Sequence, residues 1–537
     1  MLRALKIFFS DSFRNYYFIL IFLAASLPLS VYTTSIAEIL LMLNWIFEGK
    51  FSEKLSILKK RKTPLIVTLI FALHILGLIY TSDFQYALHD LKIKLPLLIL
   101  PLIIGSSAAL SEKQIRNILI LFSSSVLVSS LVSASVFFGI FPFEQNDFRT
   151  ISIFISHIRL SLMVNLAIFC LFYYGFGGDA SPLRNIKFRI ALIITAFWLT
   201  AFLFILKSVT GIVVFVILLV FMGWKYSAYI RLIAPRFIVR VLIISLLLII
   251  ASWLSHAVAK YYFREEIDFS ALESHTQDGN PYRHNTGLNW AENGNYVWIY
   301  ICEDELRQEW NKRSSLSYDG KDNLGQYLKF TLIRYLTSKG FRKDAVGVRQ
   351  LDQVDIQAVE NGVANYIFLN KYSLYPRVYQ IIWELDHYRQ GNNPSGHSVA
   401  QRLEYLKAST FIIKHNFIIG VGTGNVQQEF NNYYASSDNP LRVEFRRRAH
   451  NQFYTFFITF GIIGFTIFII ALILPVFMEK RWGDYLFLCF AIIGFLSMLN
   501  EDTLETQTGV SFFMFFYSLF LFGRNKLEKN KVQHKDI

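Results

Sequence analysis

Three arginines and a histidine, Arg446, Arg447, Arg448 and His450, precede Asn451, where the uncharged apolar stretch NQFYTFFITFGIIGF begins. An imidazole at the start of such a stretch suits general-base work on a hydroxyl, because imidazole ordinarily titrates near neutrality. The plain alternatives are a structural histidine and arginines that meet lipid phosphates at a membrane interface. Other cations sit in comparable places. Arg159 opens directly into LSLMVNLAIF, and a cation at the edge of hydrocarbon ordinarily has a partner or a ligand. Arg402 lies on SVAQRLEYLKASTFIIKHN, a turn before Leu406 and next to Leu403, at the border of the face expected to be buried. By spacing alone it reads as a solvated or ion-paired arginine. Lys207 interrupts an apolar run at LKSVTG, where the plain reading is a hairpin tip in water.

Gly420, Gly422 and Gly424 in FIIGVGTGN suggest a phosphate loop. No strand–GxGxxG–helix unit surrounds them and no Lys-Ser/Thr follows, so both nucleotide fingerprints fail. The expectation is a turn that starts a short helix, with amides able to meet an anion. Metal chemistry has little support. There is no CxxC, HExxH or EF-hand pattern, His74 stands alone in an apolar run, and Ser255-His256 has no carboxylate nearby. No metal and no cofactor are expected.

The elements that must position these residues are membrane helices. The 537 residues are 53% hydrophobic and 17% charged, with a mean hydropathy of +0.38, more apolar than an ordinary soluble chain. Runs free of Asp, Glu, Lys and Arg, apart from Glu38 in the second, lie near 15–31, 33–47, 63–81, 95–110, 117–140, 160–177, 190–206, 208–224, 241–258, 451–476, 485–500 and 506–523. The expected fold is an all-α polytopic membrane protein of about twelve transmembrane helices. The first stretch reads as a retained span rather than a signal peptide, because no small-residue cleavage site with a polar chain follows it. With both termini in the cytoplasm, the cytoplasmic loops hold 25 Lys and Arg and the short outside loops five, as the positive-inside tendency requires.

This places spans one to nine in 1–257, a large extracytoplasmic insert in 258–450, and spans ten to twelve with a cytoplasmic tail in 451–537. The insert holds 23 Lys and Arg against 22 Asp and Glu, so the net charge of +14 resides in cytoplasmic loops and no nucleic-acid partner is implied. Its aromatic content, with Trp290, Trp298, Trp310 and Trp383, indicates a folded region. Helices are expected over 321–338, from Leu324, Leu328, Leu332 and Leu336, and over 398–415, from Val399, Leu403, Leu406, Thr410 and Ile413. Of the three cysteines only Cys302 falls in the insert, so no internal disulfide can brace it.

Four motifs in this order resemble the O-antigen ligase and polymerase superfamily of bacterial envelope glycosyltransferases. They are HIRLSLM, RLEYLKASTFIIKHNFIIGVGTGNV, HNQFYTFFITFGIIG and NEDTLETQTGVSFFMFFYSLF. The resemblance implies transfer of a glycan from undecaprenyl diphosphate to an acceptor hydroxyl, for the ligases the lipid A core, on the outer face of the inner membrane. Carried over by motif, the histidine falls on His450 as base, and the diphosphate-binding arginines on Arg159 and Arg402, with Arg448 beside the histidine as a further ligand. The family's Ser-Arg-Gly at the eighth span reads here Lys207, Ser208, Val209, Thr210, Gly211, leaving Lys207 to supply the charge. The implied chemistry is inverting and metal-independent, with guanidinium groups taking the leaving-group charge. A polymerase using a second carrier-linked glycan has the same needs. A transporter is the reading from another class, although transporters tend to carry ionisable residues near mid-membrane, where these spans have almost none. The insert from about 260 to 395 is longer than the family norm, and no motif accounts for it.

Overall fold

The computed structural model describes residues 12–140, 148–177, 185–230, 232–288 and 290–524. Of the N-terminal basic residues, Arg3 and Lys6 lie outside them, as do the lysines of the tail. The helices in chain order are α1 (Ser12–Ser26), α2 (Val31–Glu48), α3 (Phe51–Lys60), α4 (Thr63–Leu76), α5 (Phe84–Lys94), α6 (Pro96–Ser106), α7 (Glu112–Phe137), α8 (His157–Phe176), α9 (Ile186–Ile205), α10 (Val209–Ser227) and α11 (Ile233–Tyr262). After a short hairpin, β1 (Ala291–Glu292) and β2 (Asn295–Tyr296), come α12 (Glu303–Arg313), α13 (Leu328–Ser338), α14 (Ala345–Arg349), α15 (Gln353–Glu360) and α16 (Tyr375–Arg389). The chain then forms α17 (Ser398–His415), α18 (Val426–Ser436), α19 (Gln452–Met478), α20 (Tyr485–Asn500) and α21 (Gln507–Phe522).

Each apolar run of the sequence coincides with one of these helices. Among the described residues six of them, α7 to α11 and α19, are long and apolar enough to cross a membrane, while α4, α20 and α21 are shorter apolar helices. Together with the nearly strand-free topology, this makes the chain an all-α membrane protein. Two compact units divide it: residues 1–239 with 393–537, and residues 240–392. Residues 393–450, assigned from the sequence to the insert, thus cluster with the apolar helices.

In the first unit α8 is the central helix, with most of its length buried. Small residues let its neighbour approach: a methyl group at Gly211 on α10 would strike Ser161. Asn165 Nδ2 donates to the Gly211 carbonyl at 3.0 Å and Ser208 Oγ to Ser161 Oγ at 3.0 Å. Small and hydroxyl side chains at a helix contact are how membrane helices pack where lipid offers no hydrophobic drive. The contact fixes the start of α10 beside the start of α8.

Helix α19 is broken at Gly461, whose backbone (φ 61°, ψ −167°) leaves the helical region. The glycine-rich segment before α18 fills the break. Val421 and Gly422 donate N–H groups to the carbonyls of Ile458 and Thr459 at 2.9 Å each, and Ile462 N–H donates to Phe417 O at 2.8 Å. Irregular backbone is tolerated among apolar helices only where its polar groups find such partners. The glycines therefore form a structural plug, clamped further by Thr423 Oγ1 donating to His74 O at 2.7 Å and Gly424 N–H to Thr81 Oγ1 at 2.7 Å. The short helix expected after them is α18.

The second unit has its own core, in which Leu306, Trp310, Tyr318, Leu332, Leu336 and Val359 are fully buried. The helix expected over 321–338 starts only at Leu328. The Asp322 carboxylate accepts from the backbone N–H groups of Leu324 and Gln326 at 3.0 and 2.9 Å, and Gly325 has φ 78°. These bonds wind 322–326 into a turn that leaves Leu324 exposed. The helix over 398–415 forms as expected, but its buried stripe is Ala400, Glu404, Tyr405, Ala408, Ser409 and Ile412. Leu403 is exposed, and Tyr405 and Ile412 instead join a core with Phe430 and Tyr434.

Candidate functional site

His450 directly precedes Asn451, the N-cap of α19. The Asn451 side chain accepts from the N–H groups of Phe453 and Tyr454 at 3.0 and 3.2 Å, satisfying donors that a helix start leaves unpaired. Its Nδ2 donates to Leu499 O at 2.8 Å, which ties the start of α19 to the end of α20. His450 has φ 48°, uncommon for a residue with a side chain. The conformation is held by its own N–H, which donates to Asp502 Oδ2 at 3.0 Å. Thr455 Oγ1 donates to the other Asp502 oxygen at 2.7 Å. The backbone of His450 and the first turn of α19 are thus both tied to Asp502.

Glu501, in that turn, links two of the sequence-predicted residues. Its Oε2 lies 3.6 Å from His450 Nδ1, and its Oε1 accepts from Arg402 Nη2 at 2.5 Å. Arg402 also donates to Asn500 Oδ1 at 2.7 Å, and Asn500 in turn donates to Thr210 Oγ1 on α10 at 2.7 Å. The Tyr405 ring lies nearly parallel to the imidazole, with centroids 5.5 Å apart. Burial raises the Glu501 carboxyl, yet the His450 ring and the Arg402 and Arg159 charges outweigh it and hold the group below its ordinary range. Glu501 is a carboxylate placed to orient the imidazole and to stabilise the charge that proton uptake would create on it.

Arg159, at the start of α8, is only 8% exposed. Its Nη2 donates to the Asp502 carbonyl at 3.1 Å, whereas its Nη1 is buried without a hydrogen-bond partner among the described residues. Arg448 Nε is likewise buried without a hydrogen-bond partner among the described residues, and an anion would satisfy such donors.

Arg448 is placed differently. Its guanidinium donates to Tyr86 at 2.7 Å and to Glu505 at 3.3 Å. Glu505 also accepts from Lys94 at 2.9 Å and from Gln452 Nε2 at 3.0 Å, and Lys94 donates to Asp90 at 2.5 Å. Burial raises the Glu505 carboxyl, but the Lys94 and Arg448 charges overcome it and hold it well below the carboxylate range. For Asp502 burial prevails over the opposing Arg448 charge, and its carboxyl is raised.

Lys207 has a left-handed backbone (φ 50°) and makes no ion pair among the described residues. Partial burial lowers its ammonium pKa. It stands three residues before Thr210, the acceptor for Asn500. The structure therefore brings His450, Arg402 and Arg159 around one turn, sets Arg448 in an adjoining ion-pair network, and leaves Lys207 at the margin. Glu501, Asp502 and Glu505 were missed as site residues, although NEDTLETQTGV carries them. Three carboxylates within five residues beside an uncharged run, on the side poor in charge, were the signal. Among the described residues no group of three or more His, Cys, Asp or Glu is placed to hold a metal ion.

No curated protein matches this chain. Residues 362–469 match the family model described as O-Antigen ligase, and that stretch holds Arg402, Arg448 and His450 together with the glycine plug and the break in α19. The match supports the resemblance read from the motifs: over residues 362–469 the chain is similar to the O-antigen ligase family.

Proposed function

We propose that the chain is a glycosyltransferase that moves a glycan from undecaprenyl diphosphate to a hydroxyl of lipid A core, at the periplasmic face of the bacterial inner membrane. The excess of Lys and Arg in the loops opposite His450 supports this orientation, with both termini cytoplasmic. The observation that carries the reading is the buried, under-satisfied Arg159 beside a His450–Glu501–Arg402 chain. Such a grouping offers an anion site and a general base within one turn. Arg159 and Arg402 take the charge that develops on the departing diphosphate. His450 removes the acceptor proton as the hydroxyl attacks the opposite face of the anomeric carbon, which inverts its configuration. Arg448 and Lys207 extend the positive field around the same anion.

The membrane half of the site supports a lipid-linked donor. An apolar cavity of about 440 Å³ runs between α10, α19, α20 and α21. It is lined by Phe221, Phe453, Leu472, Phe490, Phe495 and Phe513 among others, and Phe453 is three residues from His450. A polyprenyl chain is of the right chemistry to fill it.

The test incubates the purified chain with undecaprenyl diphosphate oligosaccharide and lipid A core in the presence of EDTA. Transfer by the intact chain should fall at least ~100-fold in His450→Ala, the range for loss of a positioned base, with the folded yield and carrier binding retained. Undiminished transfer by His450→Ala would remove the base from the mechanism. Lengthened carrier-linked chains in place of modified lipid A core would assign the chain to the polymerases.

A further inference from the structure

The residues from 240 to 392 hold a second place where sugar chemistry is written into the side chains, and it owes nothing to His450. A shallow cleft lies beside the β1–β2 hairpin and the C-terminal half of α16. It is lined by Trp290, Trp383 and His387, with Arg264, Arg334, Glu292, Asp386 and Gln390 around them.

The rings form a continuous row. Trp298 and Trp290 are stacked, with centroids 6.4 Å apart. Trp290 and His387 are 6.1 Å apart, and His387 and Trp383 stack at 4.7 Å and 15°. The Arg334 guanidinium, 6.0 Å from the Trp383 ring centre, closes the far end. Trp290 is 42% exposed, which leaves part of its indole open to a ligand.

The polar groups around the row are held rather than loose. Asp386 accepts from Tyr261 at 3.1 Å, Tyr262 at 3.3 Å and Gln390 at 3.0 Å. Glu292, almost fully buried, accepts from Arg334, Asn365 and Tyr379 at 2.8, 2.7 and 3.0 Å. The lining carries two guanidinium groups and two carboxylates: Arg334 pairs with Glu292, while Arg264 donates to the Tyr261 and Phe263 carbonyls, so the formal charges balance.

A flat aromatic face with planar, pre-oriented donors and acceptors at its edge recognises a pyranose. The sugar's axial C–H groups carry partial positive charge and settle on the negative face of the ring, while its hydroxyls exchange hydrogen bonds with carboxylate, amide and guanidinium groups. A polyanion would gain nothing from a balanced rim, and an apolar peptide would strand its charges. We propose that this cleft is a binding site for a neutral oligosaccharide, separate from the transfer site, with Trp290 as its platform.

Saturation-transfer NMR on the intact chain in detergent tests this, using a neutral oligosaccharide released from smooth lipopolysaccharide and, as control, a uronic acid oligosaccharide of equal length. The neutral sugar should show saturable contacts through its ring protons and bind at least ten-fold more tightly than the acidic one. Trp290→Leu, which keeps apolar bulk but removes the flat face, should weaken it at least ten-fold with an unchanged melting profile. Gln390→Ala, on an exposed helix end, should weaken it several-fold. His450→Ala should bind the free sugar as the intact chain does, so failure of the transfer mechanism and failure of this site give different results. Absence of saturable contact, equal binding of the acidic sugar, or intact binding in both Trp290→Leu and Gln390→Ala would overturn the assignment.

Discussion

Glu501→Gln removes one negative charge while keeping the shape of the side chain, and its cost to the proposed reaction can be worked from the geometry. Opposite unit charges 3.6 Å apart, the separation of His450 Nδ1 from Glu501 Oε2, attract by roughly 4.6 kcal/mol at an effective dielectric of 20 and by roughly 1.2 kcal/mol in bulk water. The His450 side chain is 37% exposed and that of Glu501 only 11%, so a value of about 2 to 3 kcal/mol between those limits applies. That attraction exists only when the imidazole has taken the acceptor proton, so its loss raises the barrier and slows turnover by roughly 30- to 150-fold. Arg402 keeps its bond to Asn500, so the KM for the carrier should change less than kcat. The assay measures kcat and KM for transfer to lipid A core in detergent, in the intact chain, Glu501→Gln, His450→Ala and the double variant. Once His450 is gone, Glu501→Gln should cost little more. A rate within three-fold of the intact chain, or an equal factor lost with and without His450, would refute the coupling.

Glu505→Gln should leave the buried Lys94 and Arg448 short of a counter-charge and destabilise the chain by about 3 to 5 kcal/mol, read as a lower temperature at which monodisperse protein is lost in detergent. Because the folded-state carboxyl of Glu505 is depressed, its contribution is full above its ordinary value of 4.5 and is lost as pH falls through the depressed one; the stability gap between the intact chain and the variant should therefore narrow on acidification. Gly461→Ala places a methyl group on the Ile418 carbonyl at a left-handed φ. Strain of about 1 to 3 kcal/mol and overpacking of about 1 to 3 kcal/mol should sharply reduce the folded yield, whereas the same change at Gly483, where a methyl group meets nothing within 4 Å, should not.

The apolar helices were legible because a membrane leaves a chain few choices: an uncharged run must satisfy its own backbone, and each such run became a helix. His450, Arg159 and Arg402 were legible because ionisable groups beside hydrocarbon stand out. Their connections were not. Glu501 and Arg402 are 99 residues apart, and no local spacing announces that they meet. The role of Gly420 and Gly422 was hidden for the same reason, since the break they fill lies about 40 residues further along, at Gly461. The α17 stripe misled in the opposite way: the apolar spacing pointed to Leu403, whereas the buried face lies one residue on, at Glu404, Tyr405, Ala408 and Ile412.

The pairing of the arginines bears on how a diphosphate would enter. Arg402 and Arg448 are already matched to Glu501 and Glu505, so an anion approaching either must compete with a carboxylate that stays in place. Arg159 donates through Nη2 to a neutral carbonyl, and its Nη1 has no hydrogen-bond partner among the described residues; Glu501 and Asp502 act on it through their charges alone, so an anion there would gain a charge-assisted bond without breaking an ion pair. In the proposed reaction the first contact of the leaving group would therefore be Arg159. Arg402, tied to the carboxylate that also faces His450, would then link the arrival of negative charge to the base: as it turned toward the diphosphate, Glu501 would keep the imidazole as its nearest partner and favour its protonation at the moment the acceptor hydroxyl gave up its proton.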